Sequence, residues 1–70
     1  MINKDLAVQF GQNIRNKREA QGFSQEKFAL IAEIDRSYLS RVELGKISIS
    51  LEKAYHFAEK LDCNVKDLIP

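Results

Sequence analysis

Seventy residues, 44% hydrophobic and 30% charged, allow one modest core: a single domain over 1–70 with no space for a separate effector-binding unit. The formal net charge of +1 is a weak reason to expect a nucleic-acid partner, although basic side chains outnumber acidic ones over residues 1–49 and not over 50–70. A single cysteine (Cys63) and a single histidine (His56) exclude an internal disulfide and a four-ligand zinc site. No apolar run approaches the roughly 20 residues of a bilayer span, and Met1-Ile2-Asn3-Lys4-Asp5 does not begin a secretory leader, so the expected location is the cytoplasm.

The apolar spacing is helical almost throughout, and no hairpin dipeptide occurs. Leu6, Phe10 and Ile14 recur every fourth residue and predict one inward face of a first helix. Gly22 should end it, because glycine takes positive φ without steric cost, and Phe23 can then pack back on the core. Ser24 is a good N-cap for a second helix, with Glu26 in its first turn suiting the dipole. Phe28, Ala29 and Ala32 are its inward side chains. Asp35 can cap a third helix with Leu39 and Val42 inward, closed by Gly45. Ser48 or, better, Ser50 can cap a fourth, with Leu51, Ala54, Phe57, Ala58 and Leu61 as its apolar stripe. Asn64 can cap a short fifth helix, Val65 to Ile69. The expected class is therefore all-α, five compact helices joined by short turns.

Two short helices joined by a tight turn occupy Ser24 to Gly45. Ala29 is small enough for a steep crossing, and Ile34, Leu39 and Val42 seal the later helix onto the earlier one. With those residues inward, Arg36, Ser37, Ser40 and Arg41 project outward. Hydrogen-bonding side chains presented in this way suit the major groove of DNA.

This pattern resembles the helix-turn-helix of the Cro/phage-repressor (XRE) family. The likeness runs from Ile14-Arg15 and Arg18 through Gly22, Ser24-Gln25-Glu26, Phe28-Ala29, Ile34, Leu39-Ser40, Glu43 and Gly45 to Ala58 and Leu61. It implies a lambda-repressor-like domain that binds a palindromic operator in double-stranded DNA as a homodimer, with a recognition helix over about 36–44. It also implies roles for individual residues. Gln25 would meet a phosphate or reach a base. Arg36, Ser37 and Arg41 would face base edges, where arginine pairs with guanine O6 and N7. Tyr38 and Ser40 would touch bases or flanking phosphate. Arg15, Lys17 and Lys46 are candidate phosphate contacts, which position without reading sequence. Arg18 and Glu43 would form a partly buried bridge. The stretch Asp35 to Ser40 looks most like the recognition helix of small restriction–modification controller proteins. The family usually places glycine in the turn where this chain has Glu33, and a residue with a side chain at positive φ is costly.

A domain this small reads a half-site, which calls for a two-fold dimer. Val65, Leu68 and Ile69 with the loop residues Ile47 and Ile49 are the expected apolar patch, although Ile47 and Ile49 also suit caps of the core. Cys63 should be a buried, inert side chain and His56 a surface one. No nucleophile has an oriented base, so an enzyme is not expected, nor a cofactor, metal or small-molecule ligand. The alternative is an antitoxin-like interaction module using the same fold, which would expose more apolar surface and would not need Arg36 and Arg41 outward.

Overall fold

The computed structural model describes residues 4–70; residues 1–3, on which part of the leader argument falls, lie outside the described residues. Four α-helices follow one another: α1 (Lys4–Ala20), α2 (Gln25–Ala32), α3 (Arg36–Glu43) and α4 (Leu51–Lys60). The expected fifth helix is instead a single 3-10 turn, Val65–Asp67. Nucleating an α-helix fixes several residues for one hydrogen bond. A tight turn closed by Leu68 N–H on the Val65 carbonyl at 2.9 Å satisfies the segment instead.

Local chemistry sets the helix ends. Ser24 Oγ accepts from Lys27 N–H at 3.0 Å, and Ser50 Oγ accepts from Lys53 N–H at 3.1 Å, each satisfying one of the orphan donors of a helix start. Asp35 has the extended backbone of an N-cap, but its side chain makes no capping bond. Gly22 (φ 78°) and Gly45 (φ 71°) end α1 and α3 in the left-handed region, as expected. Glu33 ends α2 there too, at φ 59° and ψ 45°. The turn thus keeps the geometry a glycine would give it.

The core gathers around Phe57 of α4. Its ring lies 6.3 Å from Phe10, 6.2 Å from Phe28 and 6.4 Å from Tyr38, so α1, α2 and α3 each send an aromatic ring to it. Ile14, Ala32, Leu39, Leu61 and Leu68 are fully enclosed around this cluster. Two expected core residues are not inside: Leu6 is 53% and Leu51 69% exposed, each in the first turn or so of its helix, where the apolar stripe outruns the neighbouring elements. At Gly11 the backbones of α1 and α3 meet, and a Cβ there would overlap the Val42 carbonyl. The sequence offered Ala29 as the small residue between α2 and α3, and it is buried; Gly11 serves the second crossing.

The C-terminal segment is fastened to α1. Asn13 Nδ2 donates to the Leu68 carbonyl at 2.9 Å, and Gln21 Nε2 to the Leu61 carbonyl at 2.6 Å. Leu68 is consequently 0% exposed, which removes it from the expected dimer patch. No helix among the described residues is long and apolar enough to cross a membrane.

Candidate nucleic-acid interface

At about 100° per residue around α3, Arg36, Ser40, Leu44, Ser37 and Arg41 succeed one another across an arc of roughly 140°. All but the half-buried Ser40 are exposed. Beyond the arc lie Tyr38 on one side and Glu43 on the other, with buried Val42 and Leu39 between them at the back. Neither Arg36 nor Arg41 forms an ion pair among the described residues. The helix therefore offers two uncommitted guanidiniums and two hydroxyls on one face, with its apolar residues holding it against α2.

The Glu43 edge is built from three helices. Arg18 of α1 grips the Glu43 carboxylate with two hydrogen bonds, Nε to Oε2 at 2.6 Å and Nη2 to Oε1 at 3.0 Å. Arg18 Nη1 also donates to the Phe23 carbonyl at 2.7 Å. The two side chains are 8% and 3% exposed, so the expected bridge is present and deeper than a partly buried one. The hydrogen bond to Glu43 pushes the Arg18 guanidinium above its ordinary value, since a bonded carboxylate favours the charged form. Arg18 is thus committed to the fold.

Gln25 belongs to the same cluster, a link that no spacing in the sequence signals. Its Nε2 donates to Glu43 Oε1 at 3.0 Å. An amide nitrogen has two hydrogens, so one holds Gln25 against α3 and the other remains for an incoming acceptor.

The remaining expected contacts divide. Lys46 follows Gly45, is exposed, and gives its backbone N–H to the Arg41 carbonyl at 3.0 Å. Arg15 lies beside Arg18 on the α3 side of α1, with its Nε paired to Glu19 at 3.2 Å, both side chains half exposed. Lys17 lies apart from these. It shares a stripe with Asn13 and Gln21, the side chains that hold the C-terminal segment, and lines a hollow with Asp62, Cys63 and Asp67. One step along α1 from Arg18 turns the side chain about 100°, away from the reading face.

Tyr38 is a packing residue first. It is half-buried, its ring stacks on Phe57 at 15°, and burial pushes its phenol above 10.0. Lys53 of α4 lies over the same ring, its Nζ 5.8 Å from the centroid. His56 is not a plain surface residue: it is half-buried, with Nε2 2.8 Å from the Ala32 carbonyl at the end of α2. Cys63 is partly buried, and desolvation raises its thiol above 9.0, in keeping with an unreactive side chain.

Of the other expected dimer residues, Val65, Ile47 and Ile49 are half-buried against the core, and Ile69 is 48% exposed. Ile69 lines an apolar hollow with Leu6, Phe10, Ile49, Leu51 and Ala54.

This geometry has close counterparts. The control protein C.BamHI of Bacillus amyloliquefaciens is 30% identical over 69 residues, covering 97% of this chain and 85% of the relative. The control protein C.MunI of a Mycoplasma species is 31% identical over 65 residues, covering 91% and 88%. The crystal structure of the restriction–modification controller protein C.AhdI from Aeromonas hydrophila superposes with a TM-score of 0.84 at 40% identity, covering 90% of this chain and 96% of that one. A helix-turn-helix family model matches residues 14–68, and the chain belongs to that helix-turn-helix family.

Proposed function

We propose that this chain is a sequence-specific DNA-binding transcriptional regulator. Its α3 enters the major groove, and Arg36, Ser37, Ser40 and Arg41 meet base edges. Gln25, Lys46 and Arg15 meet phosphates, Arg15 by exchanging Glu19 for DNA. The carrying observation is the exposed arc of α3, in which Arg36, Ser37, Ser40 and Arg41 surround Leu44, with neither arginine in an ion pair among the described residues and the arc flanked by residues locked to the core. An antitoxin-like module would leave that arc without a purpose.

One α3 covers a half-site, so the operator is palindromic and the protein acts as a homodimer, its half-sites about one helical turn apart, ~34 Å. The single domain of residues 1–70 works in the cytoplasm, without cofactor. The relatives named as control proteins support a narrower role, regulation of a restriction–modification operon.

Selection from random duplex DNA tests the reading. A two-fold symmetric consensus is expected. An absence of enrichment would overturn the DNA reading and bring the interaction module forward.

A further inference from the structure

The arc of α3 has two borders, and only one carries a residue assigned to DNA. Gln25 stands at the Glu43 border, on the first turn of α2. At the Tyr38 border stands Lys53, on the first turn of α4. A helix lying in the major groove has a phosphate backbone along each side. Resting on the DNA reading above, we infer that Lys53 is a phosphate contact for the strand opposite the one met by Gln25.

Three observations carry this. The first is position: Lys53 lines a shallow hollow together with Tyr38 and Arg41, so it stands next to an arginine of the reading face. The second is availability. Glu33 and Asp35 line the same hollow, yet neither reaches ion-pair distance of Lys53. Among the described residues its ammonium meets the π face of Tyr38, at the outer limit of a cation–π contact. Such a contact orients an ammonium without neutralising it, so all three N–H donors remain for an anion. The third is support. The Tyr38 ring beneath the lysine is stacked on Phe57 at the centre of the core, and the backbone N–H of Lys53 is fixed by the Ser50 cap. The side chain therefore starts from a rigid base.

The sequence hides this role, because Lys53 lies outside the helix-turn-helix segment and reads as one charge on a solvated helix. It also gives the aromatic residue of α3 a use: Tyr38 is the platform that aims Lys53, which accounts for a ring turned toward α4 in a helix that reads DNA.

The test is binding of Lys53→Gln to the selected operator and to unrelated duplex DNA over a range of salt concentrations, beside wild type, Arg41→Ala and Lys60→Gln. Lys60, near the far end of α4, is the control for loss of charge alone. For Lys53→Gln, the slope of log affinity against log salt should fall by about 1 per bound protomer. Affinity should drop by a similar factor on both DNAs, leaving their ratio unchanged, as expected of a phosphate contact. Arg41→Ala should instead reduce the ratio. Lys53→Arg, which keeps the charge, should restore the slope. If Lys53→Gln keeps the wild-type slope while Arg41→Ala loses discrimination, the Lys53 contact is wrong and the DNA reading stands. If Lys60→Gln lowers the slope equally, the effect is general charge and the contact is again wrong. If wild type shows no salt-dependent binding, both fail. Thermal unfolding of each variant separates lost folding from lost contact.

Discussion

Glu43 is the residue on which fold and function meet. It ends α3, receives two hydrogen bonds from Arg18 and one from Gln25, and is buried. Removing one partner of a buried pair leaves the other charged and without a partner, at a cost of about 3–5 kcal/mol. Glu43→Ala is therefore expected to lower the unfolding free energy by that amount in urea titration. A loss below about 1 kcal/mol, the range of an exposed pair, would show that the bridge is solvated. Gln25→Ala should leave most of the stability and weaken DNA binding. Two partly buried acids elsewhere, one at the opposite edge of the arc and one after α4, give a pH dependence. Burial raises the Tyr38 phenol above 10.0 and the Cys63 thiol above 9.0. Each group favours the neutral form more in the folded chain than in the unfolded one. Their stabilisation is complete below the ordinary values and is lost as pH rises through the raised ones. Stability should thus decline in the alkaline range. Tyr38→Phe keeps the ring on Phe57 and should make the decline shallower, with the Cys63 share remaining. An unchanged profile would mean that the phenol is hydrated.

At the scale of the element, Glu33 makes α2 and its turn the least comfortable part of the motif. A left-handed conformation costs a residue with a Cβ about 1–2 kcal/mol, while glycine pays instead in unfolded-state entropy. The exposed side chain offers no visible return in packing. Glu33→Gly should therefore raise stability by about 0.5–1 kcal/mol, or about 2–8 °C in Tm. A melting temperature that stays level or falls would show that the glutamate stabilises its own turn. This position, the Ser24 and Ser50 caps and the inward faces of α2 and α3 were legible in the sequence because they depend on neighbours within one or two turns. What was not legible depends on contacts across the chain. Lys17 and Arg18 are adjacent basic residues; the resemblance singles out Arg18 as the partner of Glu43, while the packing of α1 turns Lys17 toward Asp62 and Asp67. The Gln25–Glu43 bond spans 18 residues and the His56–Ala32 bond 24, with no periodic signal. Leu68 and Ile69 were both expected in the dimer patch, and they part, Leu68 buried and Ile69 half exposed, because a 3-10 turn points successive side chains differently from the α-helix that was expected. Asn13, a polar side chain that looked unremarkable, fixes the result by holding the Leu68 carbonyl.

For the whole molecule, the question is which surface a second copy can cover while leaving α3 clear. The buried stripe of α4 is Ala54, Phe57, Ala58 and Leu61, and its flanks differ. Lys53 stands on the flank toward Tyr38, while Leu51 and Tyr55 stand on the other, 69% and 57% exposed. Ile69 and Ile49 continue that apolar flank across the hollow. A standard interface takes about 800 Å² per partner, roughly a sixth of the 4731 Å² that the chain exposes. With extents of 31 × 24 × 20 Å for one chain, the proposed homodimer would set equivalent helices apart by a distance of the order of one DNA turn. Leu51→Asp tests this arrangement cleanly, since an exposed position tolerates a charge in the monomer whereas a dimer would bury it without a partner. Sedimentation should show the dimer dissociating at a concentration at least tenfold higher, about 1.4 kcal/mol. Operator affinity should fall with it, while the urea midpoint measured at monomeric concentration stays near that of wild type. Leu68→Asp should instead unfold the chain. A Leu51→Asp protein that remains as dimeric as wild type would place the two-fold axis on another face.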